Sequence, residues 1–157
     1  MNRNALPLVA AALTGVAGCS DASIGLLGSG PTERMIVEVD GPFSSLGAWR
    51  YHDGVRLLEC DILVEARAEG GSDEARAEWR DARVDLYDLR SGRLLGSDYF
   101  YPGELAHVWG SAVIERGELQ RARGLRYASY GPYRAYLEFS YLTGGETRVT
   151  EHRFDCR

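Results

Sequence analysis

Hydrophobic and polar residues alternate with a period of two along most of the chain, which is typical of β-strands with one buried face. The first alternating series covers residues 35–40 and ends at Gly41. Another runs over residues 58–68 and places Cys60 on the buried face. Turn sequences separate the series, so we expect an all-β fold.

The alternation changes phase at two places, and each change predicts a β-bulge. Trp79 has one parity and the apolar residues after it have the other, so we expect a bulge near Arg80 or Asp81. Val149 is out of phase with Cys156, which predicts a second bulge in the last strand.

Two turn sequences predict β-hairpins. Residues 90–93 (RSGR) lead into a strand predicted over 94–101, and Gly144-Gly145 is a two-residue turn into a strand predicted over 146–156. The pattern over 104–128 is weaker, and we interpret it as a strand followed by a short helical turn at 118–123. About seven or eight antiparallel strands would then form an immunoglobulin-like sandwich.

Two short motifs agree with this fold. Residues 131–135 (GPYRA) resemble the tyrosine-corner segment of immunoglobulin-type domains, with Ala135 where antibody domains carry their second cysteine. Residues 84–88 (VDLYD) resemble the FxLYD-type domains of bacterial envelope proteins, with Val84 in place of the first phenylalanine. The second resemblance covers at most residues 55–142. It implies an extracytoplasmic sandwich and no catalytic residues.

The N-terminal segment has the pattern of an export signal. Arg3 precedes about fourteen apolar or small residues, too few to span a bilayer. The sequence then reads VAGC at residues 16–19, which resembles the bacterial lipobox. This resemblance implies cleavage after residue 18 and attachment of lipid to Cys19, which would hold the protein to a membrane. The alternative is a buried hydrophobic helix in which Cys19 is incidental.

The residues after Cys19 suggest a tether and a destination. Ser20 at the position after the lipidated cysteine permits transfer to the outer membrane in several Gram-negative bacteria, so we favour that membrane within the cell envelope. Residues 19–32 are small and glycine-rich and end near a proline, as expected of a flexible tether. This divides the chain into a signal peptide (1–18), the lipidated cysteine with its tether (19–32) and a β-sandwich domain (33–157).

Lipidation of Cys19 leaves two cysteines, Cys60 and Cys156, which we expect to form one disulfide in an oxidising compartment. The alternative is a redox or metal role for one of them. It is disfavoured because neither cysteine has another cysteine two residues away or a histidine near it in sequence.

The charge of the chain argues against a nucleic-acid partner. The 157 residues carry a formal net charge of −5, and the chain without residues 1–18 would carry −6. Phosphate binding requires a basic surface. All 18 basic side chains other than the histidines are arginine, which we attribute to the coding bias of a GC-rich genome.

We find no sequence motif for catalysis or for a cofactor. Ser111 follows Gly110 but lacks the second glycine of a hydrolase nucleophile turn. His52, His107 and His152 are far apart in sequence and show no metal-ligand spacing, so we expect neither a metal nor another cofactor.

Two further arrangements would suggest an enzyme. Glu59 and Asp61 are a pair of carboxylates that glycoside hydrolysis or calcium binding could use, but their strand position favours a solvated face. A catalytic lipoprotein would need His107 or His152 within hydrogen-bond reach of a carboxylate in a cleft. We expect no enzymatic activity.

The second half of the chain is rich in tyrosine and arginine, the residues that concentrate at binding hot spots. The alternative interpretation is that these residues are half-buried members of a β-sheet. Tyr133 is the one that we most expect to be structural. The candidate binding surface comprises Tyr99, Tyr101, Tyr127, Tyr130, Tyr136 and Arg134.

Two functions follow as hypotheses. The first is a non-enzymatic envelope lipoprotein, held to the membrane by lipid on Cys19, whose sandwich binds another envelope protein or a cell-wall component. The alternative is a glycan-binding module that uses a tyrosine-rich sheet face and should have coplanar aromatic rings.

Overall fold

The computed structural model describes residues 34–157, so the predicted signal peptide, the lipidated Cys19 and the tether lie outside the described residues. The described part is all-β with one short helix, which confirms the predicted fold class. Its elements are β1 (Met35–Asp40), β2 (Ser44–Ser45), β3 (Ala48–His52), β4 (Val55–Asp61), β5 (Glu65–Gly70), β6 (Arg76–Asp88), β7 (Leu94–Phe100), α1 (Pro102–Trp109), β8 (Val113–Glu115), β9 (Leu119–Arg121), β10 (Arg126–Ser129), β11 (Tyr133–Thr143) and β12 (Glu146–Cys156).

The strands form three sheets in a sandwich-like arrangement. The large sheet has the order β2-β12-β11-β6-β7, and β8 pairs with the first residues of β6. Two three-stranded sheets have the orders β1-β5-β9 and β10-β4-β3. Neighbouring strands are antiparallel except β2 and β12, which are parallel. β7 and β3 each lie at the end of a sheet, so one edge of each has no partner strand among residues 34–157.

The core lies between the large sheet and the two smaller ones. Buried side chains alternate along β1 and β11 as their sequences predict. Trp79 stacks on Trp109 with ring centroids 4.9 Å apart, and its indole N–H donates to Oε1 of the buried Gln120 at 3.0 Å. This bond satisfies a polar group that would be costly to bury alone.

Side chains of the large sheet hold β1 in place. The Val37 N–H donates to the Tyr141 hydroxyl at 3.1 Å, and the Val39 N–H donates to Oγ1 of Thr150 at 3.3 Å. These bonds join a backbone edge of the small sheet to the layer beneath it.

One predicted bulge is confirmed and the other is wrong. The pairing of β11 with β6 skips Arg80, so Ser140 pairs with Asp81 and the next residue pairs with Trp79. β11 and β12 pair along their whole length without a register shift. Val149 is out of phase because its side chain is exposed, on the opposite side of β12 from the buried Phe154 and Cys156.

The interpretation of residues 104–128 is wrong in the order of its elements, because a helix comes first and strands follow. Pro102 supplies the fixed φ favoured in a first helical turn, and a Glu104 carboxylate oxygen accepts the Tyr101 N–H at 2.8 Å. Leu105, Val108 and Trp109 share the buried face, and Gly110 ends the helix with a φ of 81°.

The helical turn expected at 118–123 is a strand instead. β9 pairs with β5, and Glu65 lies opposite Arg121 in this register. Gly117 and Gly124 flank the strand with φ values of 74° and 77°, so each glycine makes a turn where the sequence suggested a helix end.

The predicted number of strands was too low. The series over 58–68 divides at residues 62–64, so that its halves, β4 and β5, join different small sheets. The Ile62 N–H donates to the Leu125 carbonyl in the break. Strands of two to four residues, such as β2, β8, β9 and β10, are too short to show a period.

Candidate functional site

The outer face of the large sheet brings together several of the aromatic and charged residues that the sequence singled out. Its central row crosses Ser97, Asp85, Tyr136 and Arg153 on four neighbouring strands. The adjacent row crosses Tyr99, Arg83, Glu138 and Glu151, and the row on the other side includes Tyr87, Arg134 and Asp155. We call this surface, defined by the residues of these three rows, the outer face.

Two of the three tyrosine rings of the outer face are arranged edge to face. Tyr87 and Tyr136 have ring centroids 5.4 Å apart and an interplanar angle of 90°. The guanidinium of Arg83 lies over the Tyr99 ring, 5.5 Å from its centroid. Tyr136 is 45% exposed and Tyr99 is 56% exposed. Both rings therefore lie on the predicted surface, but they do not form one flat platform.

Arg134 is a fixed member of an ion-pair cluster. Its guanidinium donates to both carboxylate oxygens of Asp155, at 2.6 and 2.9 Å, and Arg157 donates to the same carboxylate at 2.9 Å. The hydrogen bond from Arg134 lowers the pKa of Asp155 to about 2, and the same pairing raises the pKa of Arg134. This cluster holds β12 against β11 at the end of the sheet.

A shallow cleft of about 580 Å³ lies on the outer face beside this cluster. Tyr87 and Tyr136 line it from the sheet, and Phe43 lines it from the segment that runs beside β12. Its rim carries charges of both signs, from Arg83, Arg153, Asp85, Glu138 and Glu151. The cleft therefore offers apolar contact at its base and polar contact around it.

His152 also lines the cleft but is itself buried. Phe43 stacks on its ring, with centroids 5.4 Å apart and an interplanar angle of 21°. Burial lowers the pKa of His152, and the hydrogen bond from the ring to the Pro42 carbonyl only partly opposes this effect. Its Nε2 atom is buried without a hydrogen-bond partner among the described residues.

The remaining tyrosines of the predicted surface lie elsewhere. Tyr127 is half-buried against the core, and its hydroxyl donates to Asp98 at 3.2 Å, from β10 to β7. Burial, together with Asp98, raises the pKa of Tyr127. Tyr101 lies immediately before α1, and Tyr130 is exposed between β10 and β11. The structure thus places Tyr99, Tyr136 and Arg134 on one face and separates the other three.

Tyr133 has the structural role that we expected. It is fully buried, and its hydroxyl donates to the Tyr127 carbonyl at 2.8 Å. Burial raises its pKa to about 12. A tyrosine corner has the same kind of bond, from a buried tyrosine to backbone a few residues upstream.

Cys60 and Cys156 form the predicted disulfide, with their Cα atoms 6.0 Å apart. It joins β4 of a small sheet to the end of β12 in the large sheet. Ser45 lies at this junction, and its hydroxyl is 3.7 Å from Cys60 Sγ.

The histidines are separated in space as well as in sequence. His52 is 3.2 Å from Glu59, whereas neither His107 nor His152 has a carboxylate within 4.0 Å among residues 34–157. In the same range, no three His, Cys, Asp or Glu side chains are grouped as metal ligands. Arg126 is paired with Asp61 at 2.6 Å and lies 3.7 Å from Glu59.

Sequence reasoning missed an exposed apolar segment between Phe43 and Val55. Phe43, Leu46 and Tyr51 are prominently exposed there, and Leu46 is 92% accessible. The signal that could have found it is the Asp53-Gly54 pair, a typical two-residue hairpin turn between the short strands β3 and β4.

The comparisons with known proteins name no function. No family model and no curated protein matches the chain. The X-ray structure of Northeast Structural Genomics Consortium target SoR45 superposes with a TM-score of 0.48 at 9% identity, over 80% of this chain and 86% of that one. Within the described range, α1 is the single helix, and its eight residues are too few to cross a bilayer.

Proposed function

We propose that the chain is a lipid-anchored protein of the cell envelope, in the outer membrane if the cell is Gram-negative, that binds an envelope partner and is not an enzyme. The lipobox-like VAGC before Ser20 supports the anchor. The Cys60–Cys156 disulfide agrees with an oxidising compartment. The resemblance to FxLYD-type envelope domains points to the same location.

The outer face is the observation that carries the binding part of the proposal. Its central tyrosine, Tyr136, is flanked across the strands by Asp85 and Arg153, and the cleft lies beside it. Tyrosine and arginine contribute most to binding when apolar contact is surrounded by polar groups. A partner that inserts an apolar side chain beside Tyr136 and pairs with the rim charges fits this surface.

The ring geometry favours a protein partner over a glycan. A sugar ring packs on the face of an aromatic ring, and an extended glycan needs several such faces in one plane. Tyr87 and Tyr136 are perpendicular, and Arg83 already covers one side of Tyr99. The glycan-binding alternative therefore has less support from this face than a protein partner has.

Crosslinking in intact envelopes tests the proposal. We expect the full-length protein to be recovered with a specific partner, and Tyr136→Ala to lower the recovery at least about tenfold, the usual effect of losing a hot-spot tyrosine. Ile36→Ala is the matched control, because Ile36 is similarly exposed but belongs to β1 and does not line the cleft beside Tyr136, and it should leave the recovery unchanged.

Two results would contradict the proposal. One is equal recovery from the Tyr136→Ala and Ile36→Ala variants, which would place the partner elsewhere. The other is the absence of any partner together with turnover of a cell-wall substrate by the purified protein, which would make it an enzyme.

A further inference from the structure

Residues 43–57 form an exposed hairpin, which we call the aromatic hairpin. Its two strands are β3 and the first residues of β4, and every residue of β3 is exposed. Five large apolar side chains lie in this short segment at the surface: Phe43, Leu46, Trp49, Tyr51 and Val55. Tyr51 is 75% exposed. A cluster of large apolar side chains exposed in one short segment marks a site of interaction.

The aromatic hairpin is held in one conformation. Asp53 and Gly54 have φ values of 49° and 81°, as a two-residue hairpin turn requires. The Arg56 guanidinium lies over the Trp49 ring, 4.6 Å from its centroid. A preformed surface loses little conformational entropy on binding, so this segment is suited to recognition.

The base of the aromatic hairpin is fixed by the disulfide. Gly47 packs so closely on Leu58 and on Cys156 Sγ that an added Cβ atom would lie 2.5 and 2.9 Å from them. The Gly47 N–H also donates to the Arg157 carbonyl at 2.6 Å. The disulfide thus ties the exposed hairpin to the end of the large sheet.

The aromatic hairpin and the start of the domain lie at opposite ends of β12. Arg34, the first described residue, pairs with Glu146 at the beginning of that strand. Phe43 and Ser45 contact the other end, where the Asp155 N–H donates to the Phe43 carbonyl. The ten-residue separation along β12 corresponds to roughly 33 Å. A tether that joins at Arg34 would leave the hairpin at the far end from the anchor.

The aromatic hairpin is locally basic in an acidic protein. It carries Arg50 and Arg56 against Asp53 alone, whereas the whole chain has a net charge of −5. Neither arginine forms a salt bridge with a carboxylate of residues 34–157. Arg56 lies over the Trp49 ring, and Arg50 projects from the opposite face of β3, between Trp49 and Tyr51 in the sequence. Guanidinium groups on both faces of the aromatic hairpin complement an apolar groove with acidic side chains along its rims.

We infer that the aromatic hairpin is a docking element for a partner protein whose binding site is an apolar groove rimmed by acidic side chains. Its orientation away from the anchoring membrane rests on the proposed lipid anchor, whereas its chemistry does not. Trp49 and Tyr51 provide the aromatic contacts, and Arg50 and Arg56 provide the pairing with the rim. Trp49, Tyr51 and the two arginines do not line the cleft beside Tyr136, and Phe43 is the one residue of the aromatic hairpin that does.

The test uses the full-length chain in cells that export it, with the photo-reactive amino acid benzoylphenylalanine in place of Tyr51. We expect one discrete adduct with another protein, and a matching adduct from a probe at Leu46. Arg50→Glu and Arg56→Glu should each lower its yield at least about fivefold. Arg67→Glu is the matched control, since Arg67 is also exposed and outside the ion pairs but lies on β5, and it should leave the yield unchanged.

Four results would overturn the inference: no adduct, an adduct with lipid alone, an adduct with a second copy of this chain, or an equal adduct from a probe at the exposed Tyr130. Equal loss of yield in the Arg67→Glu variant would do the same, because it would reflect overall charge. This result is distinguishable from failure of the proposed function. If the exported chain is found to carry no lipid on Cys19 but still gives the discrete adduct, the anchor is contradicted and the docking element is supported.

Discussion

At the scale of single residues, the packing around the disulfide leaves no space for a side chain at Gly47. A Cβ atom there would approach the buried Leu58 and the fixed Cys156 Sγ within 3 Å. We expect Gly47→Ala to lower the free energy of unfolding by roughly 1–3 kcal/mol through overpacking.

Gly96→Ala is the matched control for this variant. Gly96 is exposed on β7, and an added Cβ atom there would meet nothing within 4 Å. We expect its effect to stay within about 0.5 kcal/mol. Urea denaturation of both variants measures the difference, and equal stabilities would contradict the packing described at Gly47.

The buried His152 predicts a pH dependence of stability. Its pKa in the folded protein is below 6.5 because burial disfavours the charged ring. The unfolded chain therefore takes up a proton first as the pH falls below about 6.5, and stability decreases over that window. Asp155, with a pKa of about 2, contributes a separate loss only below about pH 4.

Thermal denaturation between pH 7.5 and 5 measures the contribution of His152. We expect His152→Gln to have a smaller decrease of Tm over this range than the unmodified protein, because the titrating ring is gone. His107→Gln, at an exposed position on α1, should retain the full decrease. A His152→Gln variant with an unchanged slope would contradict the assignment.

At the scale of elements, the bond from Tyr133 links β11 to β10 of a small sheet. We expect Tyr133→Phe to cost about 1 kcal/mol, because it leaves the Tyr127 carbonyl without its buried donor and keeps the ring packing. Tyr130→Phe, at an exposed position, should cost nothing measurable. Chemical denaturation tests both variants, and a Tyr133→Phe variant as stable as the unmodified protein would show that the bond contributes nothing.

The elements that sequence reasoning located correctly either have one buried and one exposed face or follow a clear turn. β1, β7 and β11 alternate in this way or follow a clear turn, and the bulge at Arg80 is visible because buried residues change parity there. α1 was missed because two helical turns provide only three buried positions, which also fit a short strand.

The candidate site was predicted in part for the same reason. Tyr136 lies on the outer face because buried and exposed residues alternate along β11, and Tyr99 lies there because it pairs with Arg83 of β6. Tyr127 belongs to a different sheet, and alternation within one strand does not indicate which sheet that strand joins. The aromatic hairpin was missed because it extends beyond the core and therefore has no buried face to produce an alternating pattern.

At the scale of the whole molecule, the disulfide closes a loop with a sequence separation of 96 residues. In the chain-entropy account, such a loop stabilises the folded state by about 4 to 5 kcal/mol. We expect the Cys60→Ser, Cys156→Ser double variant to lose most of this amount in urea denaturation, and the reductant-treated protein to lose a similar amount. No loss in either would mean that the sheets hold together without the bond.

The account as a whole depends on a chain that begins at a lipid-modified Cys19 and carries a Cys60–Cys156 bond in the folded domain. Mass spectrometry of the protein isolated from its native membrane measures both features at once. We predict an N-terminal peptide that starts with acylated Cys19 and a disulfide-linked peptide pair that contains the other two cysteines. An N-terminus at Met1 with unmodified Cys19, or a free thiol on Cys60, would contradict the account.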